Sequence, residues 1–194
     1  MIKKERNTLE TQIKLELAQS LSEGEEDKGI QTGVGFLDHM LTLFKFHSKL
    51  HISVEANGDT EVDDHHTVED IGILLGEAIR DYYQALESYQ RYGSFYLPMD
   101  ESLARVVLDL SGRPHLNFNA ALSKEKVGTF DTELVEEFFN GVAMNARMTL
   151  HIDLLKGGNT HHEIEAIFKG FGRALKIALE KTNTGVPSSK GLIA

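Results

Sequence analysis

The sequence predicts an α+β fold made of two similar halves, and three observations support this prediction. An HHxxE segment occurs twice, the second copy 96 positions after the first: His65, His66, Glu69, His161, His162 and Glu165. The same predicted elements surround each copy, in the order helix, strand, turn, histidine pair and amphipathic helix. Additional strands are predicted before each half. A sheet with one apolar face needs a cover, so we expect two halves, residues 1–92 and 93–194, related by an approximate two-fold axis.

The predicted elements of the first half follow from its apolar periodicity. They are a strand over 11–17, a helix over 36–47, a strand LHISVEA, a turn at 57–59, and a helix with Ile71, Leu74, Ala78, Tyr82 and Leu86 on one face. The second half has strands over 103–110 and around 115–120, a helix over 132–148, a strand TLHIDLL, a turn at 157–159, and a helix with Ile164, Ile167, Phe168, Phe171 and Leu175 on one face.

Composition excludes several classes of function. The net charge of −10 and the lack of a basic stripe make a nucleic-acid partner unexpected. No apolar run reaches membrane-spanning length, and the N-terminus lacks a signal-peptide core, so we expect a soluble cytoplasmic protein. There is no cysteine, which leaves His, Asp and Glu as metal ligands. Such ligands suit manganese, iron, zinc, nickel or cobalt without selecting one.

The spacing within each HHxxE segment predicts two metal sites. Residues four apart share one helix face, whereas adjacent residues diverge by about 100°. His65 and Glu69 can therefore approach one metal while His66 points elsewhere, and the second copy repeats this geometry. If the two helix starts face each other, each metal takes ligands from both halves. His39 and His151 would complete a set of six histidines and two glutamates. A lone histidine is more often structural, which is how we interpret His51 and His115.

Six stretches resemble the imidazoleglycerol-phosphate dehydratase family of histidine biosynthesis. They are FLDHML, DDHHTVEDIG, PMDESLARVVLDLSGRP, VGTFDTELVEEFF, TLHIDLLKGGNTHHEIEAIFK and VPSSKG, and the resemblance runs from about residue 6 to residue 191. Two departures are Gly35, where the family commonly has proline, and a slightly long acidic loop before it. The resemblance implies a hydro-lyase that removes water from imidazole glycerol phosphate and gives imidazole acetol phosphate.

The resemblance also implies the cofactor and its ligands, namely two Mn²⁺ per active site. One Mn²⁺ would be held by His39, His66, His161 and Glu165, and the other by His65, Glu69, His151 and His162. This division agrees with the geometric argument, because it assigns adjacent histidines to different metals.

The substrate contacts come from the resemblance alone. Besides the metal ligands His39, His65, Glu69 and His161, they are Glu10, His47, Arg91, Arg113, Lys169, Ser188, Ser189 and Lys190. Glu10 and His47 are the candidates for acid–base catalysis, without a division of roles. Arginine suits the substrate phosphate because its guanidinium binds phosphate oxygens in a bidentate manner. Composition alone would instead favour a frayed C-terminus for residues 187–191 and surface charges for the arginines.

The family fold and assembly complete the expectations. The resemblance implies a duplicated four-stranded sheet with two helices on one side, like domain 2 of ribosomal protein S5. It also implies a homo-oligomer of twenty-four chains with active sites between subunits. Two other functions fit the same ligands: a dinuclear metallohydrolase, and a non-enzymatic protein whose histidines store metal or join subunits.

Overall fold

The computed structural model describes residues 1–183 and 185–187. Within these residues, ten strands and four helices follow one another along the chain. The strands form two four-stranded sheets and one two-stranded sheet. Their bounds are β1 Ile2–Asn7, β2 Thr11–Ala18, β3 Ile30–Gln31, α1 Gly35–Ser48, β4 His51–Gly58, α2 His65–Gln84, β5 Tyr92–Met99, β6 Ser102–Asp109, β7 His115–Asn119, β8 Lys126–Val127, β9 Phe130–Asp131, α3 Leu134–Ala146, β10 Thr149–Lys156 and α4 Thr160–Leu179.

The two large sheets have the same strand order, which confirms the predicted duplicated α+β fold. The first is ordered β1-β2-β4-β3 and the second β5-β6-β10-β7. In each sheet the first two strands in sequence form an antiparallel pair. The last strand in the order runs parallel to its neighbour, which is β4 in one half and β10 in the other.

Each sheet buries one face and leaves the other open, because side chains alternate along a strand. In β2, Ile13, Leu15 and Leu17 are fully buried against the helices. In β10, Leu150 and Ile152 are buried in the same way, while the intervening His151 is exposed on the open face. The apolar alternation therefore fixes which face of each sheet meets the core.

The helices lie between the sheets and pack across the two halves, α1 against α4 and α2 against α3. Glycine permits this close approach. A Cβ on Gly172 in α4 would lie 3.0 Å from the carbonyl oxygen of Phe44, and one on Gly76 in α2 would lie 2.6 Å from that of Val142. The two glycines are separated by 96 positions, the offset of the repeated histidine pairs, so the same kind of helix contact is built twice.

A cluster of phenylalanines joins the helices into one core. Phe44 stacks on Phe171 with ring centroids 5.1 Å apart, and Phe139 lies 4.9–5.4 Å from Phe138, Phe168 and Phe171. Burying each such side chain contributes about 1.5–3 kcal/mol. Phe44 belongs to the first half and the other rings to the second, and the buried apolar residues of both halves form one continuous core.

The predicted helices and strands are confirmed, whereas three edge strands (β1, β3 and β5) and the short β8–β9 pair were not predicted. β1 reads IKKERN and is only half buried, so its charges hide its alternation. β5 contains Gly93 and Pro98, residues that weaken a strand pattern but are tolerated at a sheet edge. None of the helices in the described part of the chain is long and apolar enough to cross a membrane.

We expect Gly76→Ala and Gly172→Ala each to lower the free energy of unfolding by about 1–3 kcal/mol, because a methyl group must push the partner helix away. Chemical denaturation of the metal-free protein at fixed concentration measures the change. Gly35→Ala is the control, since a Cβ there meets no atom within 4 Å. If Gly172→Ala is as stable as Gly35→Ala, the helix contact is looser than described.

Candidate metal centre

The contact between α1 and α4 brings three predicted ligands together. His39 Nε2 lies 3.0 Å from Glu165 Oε1, and His161 Nε2 lies 3.8 Å from the same oxygen. His39 comes from the first half, while His161 and Glu165 lie four residues apart on one face of α4. This group, called the triad below, thus combines ligands of both halves as the duplication predicted.

Local hydrogen bonds fix the two helix starts that carry the triad. Asn159 caps α4 by accepting a hydrogen bond of 2.9 Å from the backbone N–H of His161. At the other helix, the Asp38 carboxylate accepts hydrogen bonds from the backbone N–H and the hydroxyl of Thr32, at 2.8 and 2.6 Å. The loop before α1 is therefore anchored next to His39.

The electrostatics of the triad keep its carboxylate ionised. Burial would raise the pKa of Glu165, but hydrogen bonding from Lys169 Nζ at 3.1 Å, together with the nearby imidazoles of His39 and His161, outweighs it and leaves the pKa below its usual value. An ionised carboxylate is the form that binds a cation. Lys169 thus lies beside the triad, where the sequence resemblance placed a substrate contact.

His47 lines a cavity next to Lys169. The cavity has a volume of about 350 Å³ and is bounded by His47, Phe95, Leu97, Pro98, Lys169 and Arg173. Burial and then the positive charges of Lys169 and Arg173 lower the pKa of His47. The imidazole is therefore neutral at pH 7 and able to accept a proton.

A second group surrounds His66 at the start of α2. Its Nδ1 lies 3.0 Å from Asp59 Oδ2, and its Nε2 lies 3.7 Å from Glu10 Oε1. The hydrogen bond with Asp59 raises the pKa of His66. Glu10 therefore lies next to a predicted metal ligand. His66 was expected to share one metal with His39, His161 and Glu165, but within one chain it does not lie in the triad.

A third group surrounds His162 at the start of α4. Its Nδ1 lies 3.1 Å from Glu101 Oε2 and 3.9 Å from Asp100 Oδ2. Glu101 Oε1 also accepts the backbone N–H of Asn159 at 2.7 Å. That backbone hydrogen bond is the main reason why the pKa of Glu101 falls to about 2.

The other predicted ligands lie apart from the triad. His65 and Glu69 are half buried on α2, and the backbone N–H of His65 donates to Asp63 Oδ1 at 2.8 Å. His151 lies on the open face of the second sheet, with its ring 5.9 Å from that of His115. One chain thus brings together three of the eight predicted ligands and leaves five at other places on its surface.

The predicted phosphate-binding arginines share one carboxylate. Arg91 is buried and donates to both oxygens of Asp109, at 2.7 and 3.1 Å, and to the carbonyl oxygen of Pro187 at 2.7 Å. Arg113 is 59% exposed and lies 3.7 Å from Asp109 Oδ2, so part of its guanidinium faces solvent. Ser188, Ser189 and Lys190 lie outside the described residues.

Sequence reasoning missed Asp59, Asp100 and Glu101. Glu101 could have been found by comparing the halves, because Glu10 and Glu101 each directly precede the second strand of a sheet. Their separation is 91 positions (101 minus 10), whereas the histidine pairs are separated by 96, so a single repeat offset did not align them.

The triad fits a divalent metal ion. Metal bonds of about 2.0–2.2 Å to nitrogen and oxygen place neighbouring ligand atoms roughly 3.0–3.5 Å apart. The two measured separations of 3.0 and 3.8 Å lie close to this range, and all three donor atoms lie within 4.8 Å of one another. The described residues also include a second group of potential ligands, formed by Asp100, Glu101 and His162.

The comparison with protein families decides the class of this protein. A family model described as imidazoleglycerol-phosphate dehydratase matches residues 32–175. The chain belongs to this family. The prediction of a hydro-lyase of histidine biosynthesis is thereby confirmed at the level of the family.

Individual relatives agree with this assignment over the full length. Imidazoleglycerol-phosphate dehydratase of Staphylococcus saprophyticus is 63% identical over 194 residues, covering 100% of this chain and 99% of the relative. The protein of the same name from Staphylococcus carnosus is 62% identical over 192 residues, covering 98% of each.

Two solved structures share the fold. The imidazoleglycerol-phosphate dehydratase of Staphylococcus aureus N315 has a TM-score of 0.81 and 58% identity, covering 93% of this chain and 98% of that one. The enzyme of Pyrococcus furiosus in complex with (S)-C348 has a TM-score of 0.83 and 37% identity, covering 97% and 99%.

We expect His39→Ala to weaken binding of one divalent cation by at least tenfold, because the triad then loses one of its three ligands. Isothermal titration of the metal-free protein with Mn²⁺ measures the affinity and the number of sites. Thr42→Ala is the control, being an exposed position on the same helix that is not a predicted ligand. Equal Mn²⁺ affinity in the two variants would show that the triad does not bind the cation.

Proposed function

We propose that this chain dehydrates imidazole glycerol phosphate to imidazole acetol phosphate, at a site that holds two Mn²⁺ and is completed by neighbouring copies of the chain. The observation that carries the proposal is the triad of His39, His161 and Glu165, in a member of the imidazoleglycerol-phosphate dehydratase family. The substrate is a small phosphorylated imidazole.

The assignment of metal ligands follows the two sets expected from the sequence. The first set adds His66 to the triad, and the second consists of His65, Glu69, His151 and His162. The separation of these residues within one chain supports a site shared between subunits. His151 lies on an open sheet face that also carries the exposed apolar side chains Tyr96 and Val107, and such a face favours contact with another chain. We propose an assembly of twenty-four chains, a number that rests on the family resemblance.

The bound cations would supply Lewis-acid polarisation and charge stabilisation for the imidazole ring. The chain itself provides the proton transfers, for which Glu10 and His47 are the candidates. The lowered pKa of His47 favours the neutral imidazole, which can accept a proton, so His47 remains one of the two candidates. Glu10 is exposed beside His66, where its carboxylate can reach a substrate bound near that ligand.

The remaining contacts hold the phosphate. The guanidinium of Arg113 is largely exposed among the residues that the structure describes, and Lys169 adds an ammonium beside the triad. Arg91 is committed to Asp109 and Pro187, so we propose that it acts mainly by holding the segment before Ser188, Ser189 and Lys190, which would reach the phosphate. We keep the division into residues 1–92 and 93–194 as the proposed boundary of the duplication. We also propose a cytoplasmic location, which membership of a biosynthetic family supports.

One experiment separates the dehydratase from a metallohydrolase with the same ligands. The Mn²⁺-loaded protein is incubated with imidazole glycerol phosphate, and both the ketone product and inorganic phosphate are measured. We expect ketone without phosphate release. Phosphate release would indicate a hydrolase, and metal-dependent assembly without any turnover would indicate metal storage or a structural metal.

We expect His65→Ala and His162→Ala to abolish dehydration and to lower the amount of bound metal, because each removes a ligand of the second set. Enzyme assays and elemental analysis of the purified variants measure the two effects. Full metal content together with full turnover in His65→Ala would contradict the two-metal assignment.

Arg113→Ala is expected to raise KM by about 10- to 100-fold with a smaller change in kcat, since a charge-assisted contact to phosphate contributes about 1.5–3 kcal/mol. Steady-state kinetics measures the division between KM and kcat. Arg80→Ala removes the same charge from an arginine that lies beside Asp81 on α2, and should leave both constants unchanged. An unchanged KM in Arg113→Ala would exclude the proposed phosphate contact.

A further inference from the structure

His162 is held by Glu101, a carboxylate from the turn between β5 and β6 that also binds the start of the helix carrying His162. Glu101 Oε2 lies 3.1 Å from Nδ1 of His162, while Glu101 Oε1 accepts the backbone N–H of Asn159 at 2.7 Å. Asn159 is also the residue that caps α4. Glu101 is thus tied at once to the imidazole and to the turn from which that imidazole projects.

The first half holds its second histidine in the same way, but with a different residue. Nδ1 of His66 lies 3.0 Å from Asp59, whereas Glu10, the positional equivalent of Glu101, approaches the other nitrogen, Nε2, at 3.7 Å. A carboxylate therefore occupies the Nδ1 side of the second histidine in both halves. Because Asp59 occupies the Nδ1 side of His66, Glu10 approaches the opposite nitrogen, Nε2, instead.

A carboxylate on Nδ1 determines which nitrogen can bind a metal. When Nδ1–H donates to the carboxylate, the lone pair lies on Nε2, the ring orientation is fixed, and the imidazole becomes a stronger ligand. We propose that Glu101 is a positioning residue that holds His162 in the tautomer with Nε2 free to bind a divalent cation. This inference rests on the proposed function, since it requires His162 to be a metal ligand.

Glu101→Gln tests the inference with a nearly isosteric change. If the amide oxygen keeps the hydrogen bond from Asn159, the NH₂ group faces Nδ1, and the proton moves to Nε2, where it blocks metal binding. If the amide is rotated by 180°, its oxygen can accept from Nδ1–H of His162. Its NH₂ group then faces the backbone N–H of Asn159, and two donors oppose each other. We expect the affinity for Mn²⁺ at one class of site to fall by 10- to 100-fold, the range typical for loss of such a partner.

Asp100→Asn is the matched comparison, because it separates positioning by Glu101 from the alternative in which Asp100, Glu101 and Nδ1 of His162 themselves bind the cation, in which case both variants lose affinity. It removes the same negative charge beside His162, but Asp100 Oδ2 is 3.9 Å from Nδ1, beyond hydrogen-bond distance. Asp100 has a positive φ of 49°, which asparagine tolerates well. Both full-length variants are titrated with Mn²⁺ by calorimetry, and with Co²⁺ by visible absorption, which reports the ligand field. We expect loss of affinity and a changed Co²⁺ spectrum in Glu101→Gln alone.

The outcomes separate this inference from the proposed function. If the unsubstituted protein binds no Mn²⁺, the proposed function fails. If it binds Mn²⁺ and Glu101→Gln binds equally well with an unchanged Co²⁺ spectrum, the positioning role is overturned while the proposed function stands. Equal losses in the two variants would assign the effect to charge or to direct binding of the cation by these carboxylates, and would also overturn it. If Glu101→Gln does not fold, a crystal structure of the unsubstituted protein with Mn²⁺ decides, because ligation through Nδ1 of His162 contradicts the inference.

Discussion

The close approach of helices from opposite halves is the constraint on which the rest of the structure depends. Gly172 lets α4 contact the backbone of α1 near Phe44, and this contact sets the register between the two helices. His39 lies one to two turns before Phe44 on α1, and Glu165 lies two turns before Gly172 on α4, so the same register brings these side chains to within 3.0 Å. A larger residue at the glycine would displace the triad as well as the core.

The duplication was followed by divergence at the ligand positions. The helix contact of α1 with α4 is repeated by α2 with α3. When α1 and α3 are aligned at their C-terminal ends, Lys49 and Arg147, the position of α3 that matches His39 holds Glu137. Within the described residues the triad is therefore not repeated in the second helix pair. The halves share the backbone plan, and differ in the side chains that bear the chemistry.

The sequence predicted the fold well because its strongest signals are local. The amphipathic faces of α2 and α4 and the buried runs of β2 and β10 are visible in the apolar pattern alone. The edge strand β1 was missed because alternating charges mask its half-buried side. For the site, the spacing of His161 and Glu165 on one helix face was predictable, whereas the partners Asp59 and Glu101 depend on turns brought together only by tertiary packing.

The placement of the remaining ligands has a consequence for stability. His66 and His162 lie at the starts of separate helices, and His151 projects from the opposite face of a sheet, so a cation that binds residues from several such places must join more than one chain. Metal binding and assembly then stabilise each other, since a ligand that binds only the assembled form shifts the equilibrium towards it. Under the proposed function, the surface histidines of one chain are parts of sites that a neighbouring chain completes. The carboxylates of Asp59 and Glu101 would hold those histidines in place before the neighbouring chain arrives.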